Sequence, residues 1–185
     1  MISSFSAIVG DNPRILILGS MPGEDSLRKQ QYYGHPRNAF WPIFASLLHF
    51  QSETSYEERL SILKKNHIAL WDVIKCCQRQ GSLDSAILKE SIEPNDFAAL
   101  LNQHRSITHI YFNGNTAFTL FRSKVWPKLT QNPIKKSAKP TTVTLCYPEG
   151  IPRTLTPLPS TSPAHATRTL EQKQTTWHEA IQPIL

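Results

Sequence analysis

The chain has 185 residues, enough to bury a proper core and too few for a long multidomain assembly. Hydrophobic residues make up 39% and charged residues 18%, which excludes an intrinsically disordered chain. The formal net charge of +6 favours an anionic partner, nucleic acid first among them, although a basic enzyme indifferent to DNA fits the charge equally well.

Residues 14–19 are a short apolar, β-branched run stopped by Gly19. They read as a strand buried on both faces and therefore parallel. A loop follows to about Arg37. Asn38 is placed to cap a helix whose inner face carries Phe40, Trp41, Phe44, Leu47 and Leu48 at spacings of three and four. Residues 53–66 are helical in pattern, with Tyr56, Leu60 and Leu63 on one face. Residues 67–74 read as a second buried strand. Asp84 or Ser85 is placed to cap a short helix, and Pro94 to open another with Phe97, Leu100 and Leu101 inside. Residues 108–114 form a third strand cut off by Gly114, with its helix over about 115–125. Residues 130–142 read as a loop rich in Lys and Pro, containing Lys135, Lys136 and Lys139. An extra strand at 143–147 precedes a turn at 148–150, and the last strand covers 153–158. A polar loop at 160–163 leads to a final helix with Leu170, Trp177 and Ile181 on one stripe.

No internal repeat or linker divides the chain, so residues 1–185 read as a single domain. Strands alternating with helices predict an α/β fold, a three-layer α/β/α sandwich around a parallel sheet. Ligands bind such sheets at the carboxyl ends of the strands. That rule gathers the Gly19 loop, Trp71-Asp72, Asn113-Gly114 and the 158–163 loop into one cleft.

The three cysteines, Cys76, Cys77 and Cys146, make no CxxC pair, which argues against a zinc ribbon or a four-cysteine iron–sulfur cluster. Their odd, unpatterned count fits a reducing cytosol. The N-terminus lacks the basic start and apolar run of a signal peptide, and no segment has the roughly 20 apolar residues of a membrane helix. The expectation is a cytoplasmic protein with no membrane, metal or cofactor, acting as a monomer.

Four constellations could carry chemistry. Gly19-Ser-Met-Pro-Gly23 lets backbone approach a ligand, but Glu24-Asp25 stands where a P-loop needs Lys and Ser or Thr. Gln31-Tyr-Tyr-Gly-His-Pro-Arg-Asn-Ala-Phe-Trp41 concentrates two Tyr, a His, an Arg and an Asn in one loop. A Tyr face can stack a base, and an Asn can hold a water or read a base edge, whereas Phe40 and Trp41 read as core. Leu158-Pro-Ser-Thr-Ser-Pro-Ala164 sets small hydroxyls ahead of a helix, suited both to capping it and to phosphate contacts. Asn113-Gly114 at a strand end suits a turn or a ligand reader, with the turn favoured by position alone.

These motifs, with Ser26-Leu27, Gly81-Ser-Leu-Asp-Ser85 and Phe112-Asn-Gly114, stand in the order seen in one family. The chain resembles the uracil-DNA glycosylase superfamily, and most closely its hypoxanthine-DNA glycosylase branch. The resemblance implies a mostly parallel four-stranded central sheet. Met21 fills the place where better-known branches carry a catalytic Asp or Asn, so it implies that Asn38 takes the catalytic role. It further implies that Asn113 contacts the base and shares in catalysis, that Tyr33 stacks the extruded base, and that Ser20 and Met21 line the base pocket. His35 and Arg37 would contact DNA, and Ser160, Thr161, Ser162 and Pro163 would grip the phosphates and fill the gap left by the base. Leu158 stands where uracil-specialised branches carry His or Asn.

The expected reaction is monofunctional hydrolysis of the N-glycosidic bond of a deaminated base, most plainly hypoxanthine, in DNA during base excision repair. It needs no lysine Schiff base and cleaves no strand. A uracil-preferring glycosylase and an inactive DNA-binding relative remain as alternatives. Asp72, Glu24 and Asp25 remain as possible general bases, Asp72 the best placed of them. Lys135, Lys136, Lys139 and Arg37 could add salt-sensitive phosphate contacts.

Overall fold

A computed structural model describes residues 1–130, 142–148 and 150–185, so Lys135, Lys136 and Lys139 lie outside the described residues. In chain order the elements are β1 (Ile2–Ser3), β2 (Ile15–Gly19), α1 (Glu24–Lys29), α2 (Phe40–Leu48), α3 (Tyr56–Lys65), β3 (Ile68–Asp72) and β4 (Ile74–Cys77). There follow β5 (Glu93–Pro94), α4 (Phe97–Gln103), β6 (His109–Asn113), α5 (Asn115–Leu120), α6 (Trp126–Leu129), β7 (Val143–Cys146), β8 (Pro152–Leu158) and α7 (Leu170–Ile181).

Among the described residues the main sheet has five strands in the order β3-β2-β6-β8-β7. The first four run parallel, and β7 pairs antiparallel with β8 at the edge. The four expected parallel strands are all present, and the extra strand at 143–147 is the antiparallel fifth.

Alternation along β2 builds the layers. Leu16 and Leu18 face a core with Phe97, Leu101, Phe112, Phe121 and Trp126, under α4, α5 and α6. Ile15 and Ile17 face the opposite core with Phe40, Phe44, Leu63, Trp177 and Ile181, under α2, α3 and α7. The result is a three-layer α/β/α sandwich. Successive strand residues point to opposite faces, and with helices on both sides both must be apolar.

Several local expectations are corrected. The run at 67–74 divides: β3 ends at Asp72, and Ile74–Cys77 joins a separate small sheet, β1-β4-β5. There Ile2 pairs with Cys77, and Ile74 with Pro94. Pro94 therefore sits in a strand, and Asp96 caps α4 by accepting from the Ala99 N–H. The segment at 84–86 is a single 3-10 turn whose capping position is Leu83. The 115–125 helix is α5 continued by a wide turn at Phe121–Val125. Leu170 opens α7 but is 47% exposed; the buried stripe is Lys173, Trp177 and Ile181, spaced by four.

Helix α7 is tied to the sheet by two buried rings. The Tyr111 hydroxyl donates to the Ala180 carbonyl at 2.6 Å. The fully buried Trp177 packs edge-on against Phe40 and Phe44 and donates from Nε1 to the Pro159 carbonyl at 2.9 Å. Trp177→Ala is expected to lower the unfolding free energy by about 3–5 kcal/mol in urea denaturation, the range for emptying a buried aromatic site. A loss below about 1 kcal/mol would mean that this ring does not hold the helix.

Candidate active site

Register lines up the ends of the parallel strands. Gly19 pairs with Asp72, Leu18 with Phe112, and Asn113 with Leu158. Asp72, Gly19, Asn113 and Leu158 thus stand side by side along the carboxyl rim. Above them opens a cavity of about 1030 Å³, walled by the 20–26 loop, the Tyr33–Asn38 loop, Ser82–Asp84 and the 159–165 loop.

The rim is locked at Asn113. Its Oδ1 accepts from the Thr161 backbone N–H at 2.7 Å, and its Nδ2 donates to Thr161 Oγ1 at 2.7 Å. A backbone N–H can only donate, so the oxygen of the amide must face it, and the orientation of the Asn113 side chain follows. Beyond these bonds the amide has one lone pair and one N–H left, and that N–H approaches the Tyr33 hydroxyl. The Thr161 carbonyl in turn accepts from the Ala39 N–H at 2.9 Å. One fully buried threonine therefore joins β6, the 160–163 loop and the residue beside Asn38. Gly114 follows with φ of 98°, and a Cβ there would meet the Ser160 Cβ at 3.0 Å, so glycine is required where the two loops touch.

The loop before α2 separates its two tyrosines. Tyr32 is buried: its N–H donates to the Tyr56 hydroxyl, its carbonyl accepts from Trp41 Nε1, and its hydroxyl donates to the Ser6 carbonyl. Tyr33 takes φ of 57°, a left-handed conformation that a bulky residue rarely adopts. That turn sends its ring to the cavity wall, stacked on Phe40 with centroids 3.8 Å apart and planes 16° apart. Phe40 is fully buried and itself braced by Trp177, so the Tyr33 ring has a rigid backing. Asn38 Oδ1 accepts from the Phe40 N–H at 3.0 Å, which steadies the first turn of α2 and fixes the amide.

The carboxylates of the cavity are unevenly partnered. Asp84 accepts from Ser20 Oγ at 2.8 Å on both oxygens. Its carboxyl is still raised above the usual range, because burial outweighs the Ser20 hydrogen bond. Asp72 is 3% exposed, and its Oδ2 has no hydrogen-bond partner. Burial first, and Asp84 second, push its carboxyl up to about 8 against the opposing charge of Arg79. The Tyr33 hydroxyl is also buried without a closed hydrogen bond, and burial followed by the nearby Asp72 raises it well above its usual value.

The cavity brings together Ser20, Met21, Tyr33, His35, Asn38, Asn113, Ser160, Thr161, Ser162 and Pro163. Three of these differ in detail from expectation. Met21 is 7% exposed and packs with Ile74, Cys77 and Ile87, so it offers the cavity little surface. Thr161 is fully buried with its N–H, hydroxyl and carbonyl all engaged, which leaves no group for a DNA phosphate. His35 turns Nδ1 to the Arg37 N–H at 3.0 Å, and its Nε2 lies 3.6 Å from Asp25.

Arg37 does not line this cavity. It is exposed and borders a separate hollow of about 330 Å³ with Pro36, Pro42, Leu170 and Lys173. Glu24 and Asp25 line the wall, where Asp25 is paired with Arg28.

Two residues were not foreseen here. Asp84, read as a cap, holds Ser20 instead. Lys173 is 5% exposed and donates from Nζ to the carbonyls of His165 and Ser162 at 2.9 and 3.3 Å, pinning the 160–165 loop from below. A lysine spaced four residues before Trp177 on its stripe was the available signal. Among the described residues no group of three or more His, Cys, Asp or Glu converges as a metal site, and no helix is long and apolar enough to cross a membrane.

The sequence profile of the uracil DNA glycosylase superfamily matches residues 7–181. A Methanosarcina acetivorans protein named Hypoxanthine DNA glycosylase is 45% identical over 114 residues, 61% of this chain and 71% of its own length. A protein of the same name from Methanosarcina barkeri is 42% identical over 111 residues, 60% of this chain and 69% of its own. The solution NMR structure of a candidate uracil DNA glycosylase from Methanosarcina acetivorans superposes with a TM-score of 0.65 at 32% identity, covering 96% of each chain. A profile match over nearly the whole length, on a fold whose strand ends form the cavity described above, has one reading: the chain belongs to the uracil DNA glycosylase superfamily.

Proposed function

We propose that this chain is a monofunctional DNA glycosylase that takes hypoxanthine out of the duplex and hydrolyses its N-glycosidic bond. The observation that carries the reading is the convergence of Tyr33, Asn38 and Asn113 on one cavity at the carboxyl rim of the sheet. The relatives named for hypoxanthine support the choice of base.

Extruding a base costs a few kcal/mol, less when it is mispaired, as hypoxanthine is opposite thymine. The free face of Tyr33 offers stacking of about 1–3 kcal/mol in return. Asn113 uses its remaining N–H and lone pair on the base edge, where hypoxanthine presents O6 as acceptor and N1–H as donor. The bond breaks through an oxocarbenium-like sugar, and the base departs with negative charge that donors in the site stabilise. Asn38 cannot take a proton from water, but its carbonyl keeps a lone pair with which to orient one beneath the sugar. Ser160, Ser162 and Pro163, on the loop that Thr161 and Lys173 hold, form the phosphate-gripping edge.

In single-turnover assays on a duplex with inosine opposite thymine, Asn38→Ala is expected to lose about 100-fold or more in rate while binding DNA as the wild type does. Unchanged release would remove Asn38 from the mechanism. Inosine and uracil duplexes assayed side by side should show faster release of hypoxanthine, and the reverse order would transfer the reading to a uracil-preferring enzyme. Thr161→Val keeps shape but strips Asn113 Nδ2 of its acceptor. It is expected to cost about 1–3 kcal/mol in urea denaturation and to slow release about tenfold. A variant with wild-type stability and rate would show that the Asn113–Thr161 pair does not order the rim.

A further inference from the structure

Asp72 shares with the Tyr33 hydroxyl the state of a buried polar group of the cavity without a hydrogen-bond partner. It closes β3 beside Gly19, its side chain is 3% exposed, and Oδ2 makes no hydrogen bond. The point that a Cβ on Gly19 would occupy lies 2.5 Å from Asp72 Oδ1 and 3.5 Å from the Tyr33 hydroxyl. The carboxyl, the phenol and the bare strand end thus meet on the cavity floor. A side chain at Gly19 would fill the space that they share.

The charged and titratable groups around Asp72 do not supply what a carboxylate needs. Asp84, on the turn beyond β4, adds like charge. Arg79 is the opposing cation, yet Nε and Nη2 donate to the carbonyls of Gly81 and Pro22 at 2.8 and 2.5 Å and Nη1 is buried without a partner, so none of its N–H groups bonds Asp72. Tyr32 and Tyr33 are neutral phenols whose ionisation Asp72 opposes. A buried carboxyl that accepts from nothing stable in its charged form keeps its proton.

We propose that Asp72 is a catalytic residue that works as a neutral carboxylic acid: its carboxyl O–H donates a hydrogen bond to the flipped-out base and holds it as the bond to the sugar breaks. This inference rests on the glycosylase reading above. The C1′–N9 bond breaks with its electron pair going to the purine, so the base becomes a stronger acceptor as the reaction proceeds. A donor placed there binds the transition state more tightly than the ground state. The water that adds to C1′ releases one proton to solvent, the departing purine takes one up, and Asp72 retains its own. An ionised carboxylate in the same place would repel the developing negative charge. Burial of the acid is therefore part of the chemistry: it keeps a donor available at neutral pH.

The sign of the pH dependence follows. The carboxyl is raised to about 8, so the donor is present below that pH and is lost as pH rises through it. This is opposite to what a general base at position 72 would give, since a base is active only once ionised.

The test is single-turnover release of hypoxanthine from an inosine duplex, over roughly pH 6 to 10, by wild type, Asp72→Asn and Asp72→Ala. Asparagine keeps an N–H donor and cannot ionise. The Asn variant is expected to stay within about tenfold of wild type at neutral pH, with its alkaline fall moved to higher pH, whereas the Ala variant loses about 100-fold or more throughout. Circular dichroism and urea denaturation establish that both variants fold. Carbon-13 carboxyl NMR of the wild type, which needs no activity, should show Asp72 titrating above neutrality.

An Asn variant as inactive as the Ala variant, an unmoved alkaline limb, or an Asp72 carboxyl that titrates in the ordinary aspartate range would each overturn the inference. Failure of the wild type to release hypoxanthine at all would be failure of the glycosylase reading itself. Release by wild type with an inactive but folded Asn variant would be failure of this inference alone.

Discussion

The double hydrogen bond between Asn113 and Thr161 is the constraint on which the site depends. It joins the end of a central strand to a loop 48 residues further along the chain. The same threonine passes the constraint to Ala39, the neighbour of Asn38. All of it happens in a residue with no exposed surface, where an unmade bond costs the full desolvation of its partner. The relative placement of the Asn113 amide, the residue beside Asn38 and the 160–163 loop is thus set by one buried hydroxyl and its peptide.

A second line of support runs through rings. Trp177 braces Phe40, Phe40 backs Tyr33, and the Tyr33 ring meets the cavity. Core packing and cavity wall are therefore continuous, and a ring backed in this way has little freedom left to lose. Tyr33 occupies a left-handed backbone conformation to reach this place, which is the kind of local strain that functional sites hold. Lys173 does for the 160–165 loop what Phe40 does for Tyr33: it meets two loop carbonyls from a buried position on α7.

Much of this was legible in the chain. Apolar runs ending at Gly19 and Gly114 identified central strands, because helices on both faces of the sheet demand them. The rule that ligands bind at strand carboxyl ends then collected the Gly19 loop, Trp71-Asp72, Asn113-Gly114 and the 158–163 loop, while the places of Tyr33 and Asn38 came from the family resemblance. The small sheet was not legible, since strands of two residues such as Ile2–Ser3 and Glu93–Pro94 carry no period. Leu170 misled for a related reason. The stripe on α7 continues through Lys173, a residue type that reads as solvent-facing until its amine is seen on carbonyls.

The residues alone determined the layered α/β architecture, the order of the parallel strands along the chain, and which polar and aromatic groups crowd near their ends. Local spacing and hydrophobicity carry that information, because each element must bury its own apolar face. Only the tertiary structure decided that Thr161 is a buried brace and not a surface contact, that Arg37 turns away from the cavity, and that Asp84 holds Ser20. It also decided that the Asp72 carboxyl stands buried and unpartnered. Partners and burial arise from register and packing between segments far apart in the chain, and hydrogen-bond satisfaction and local dielectric, which set charge and role, exist only once those segments meet.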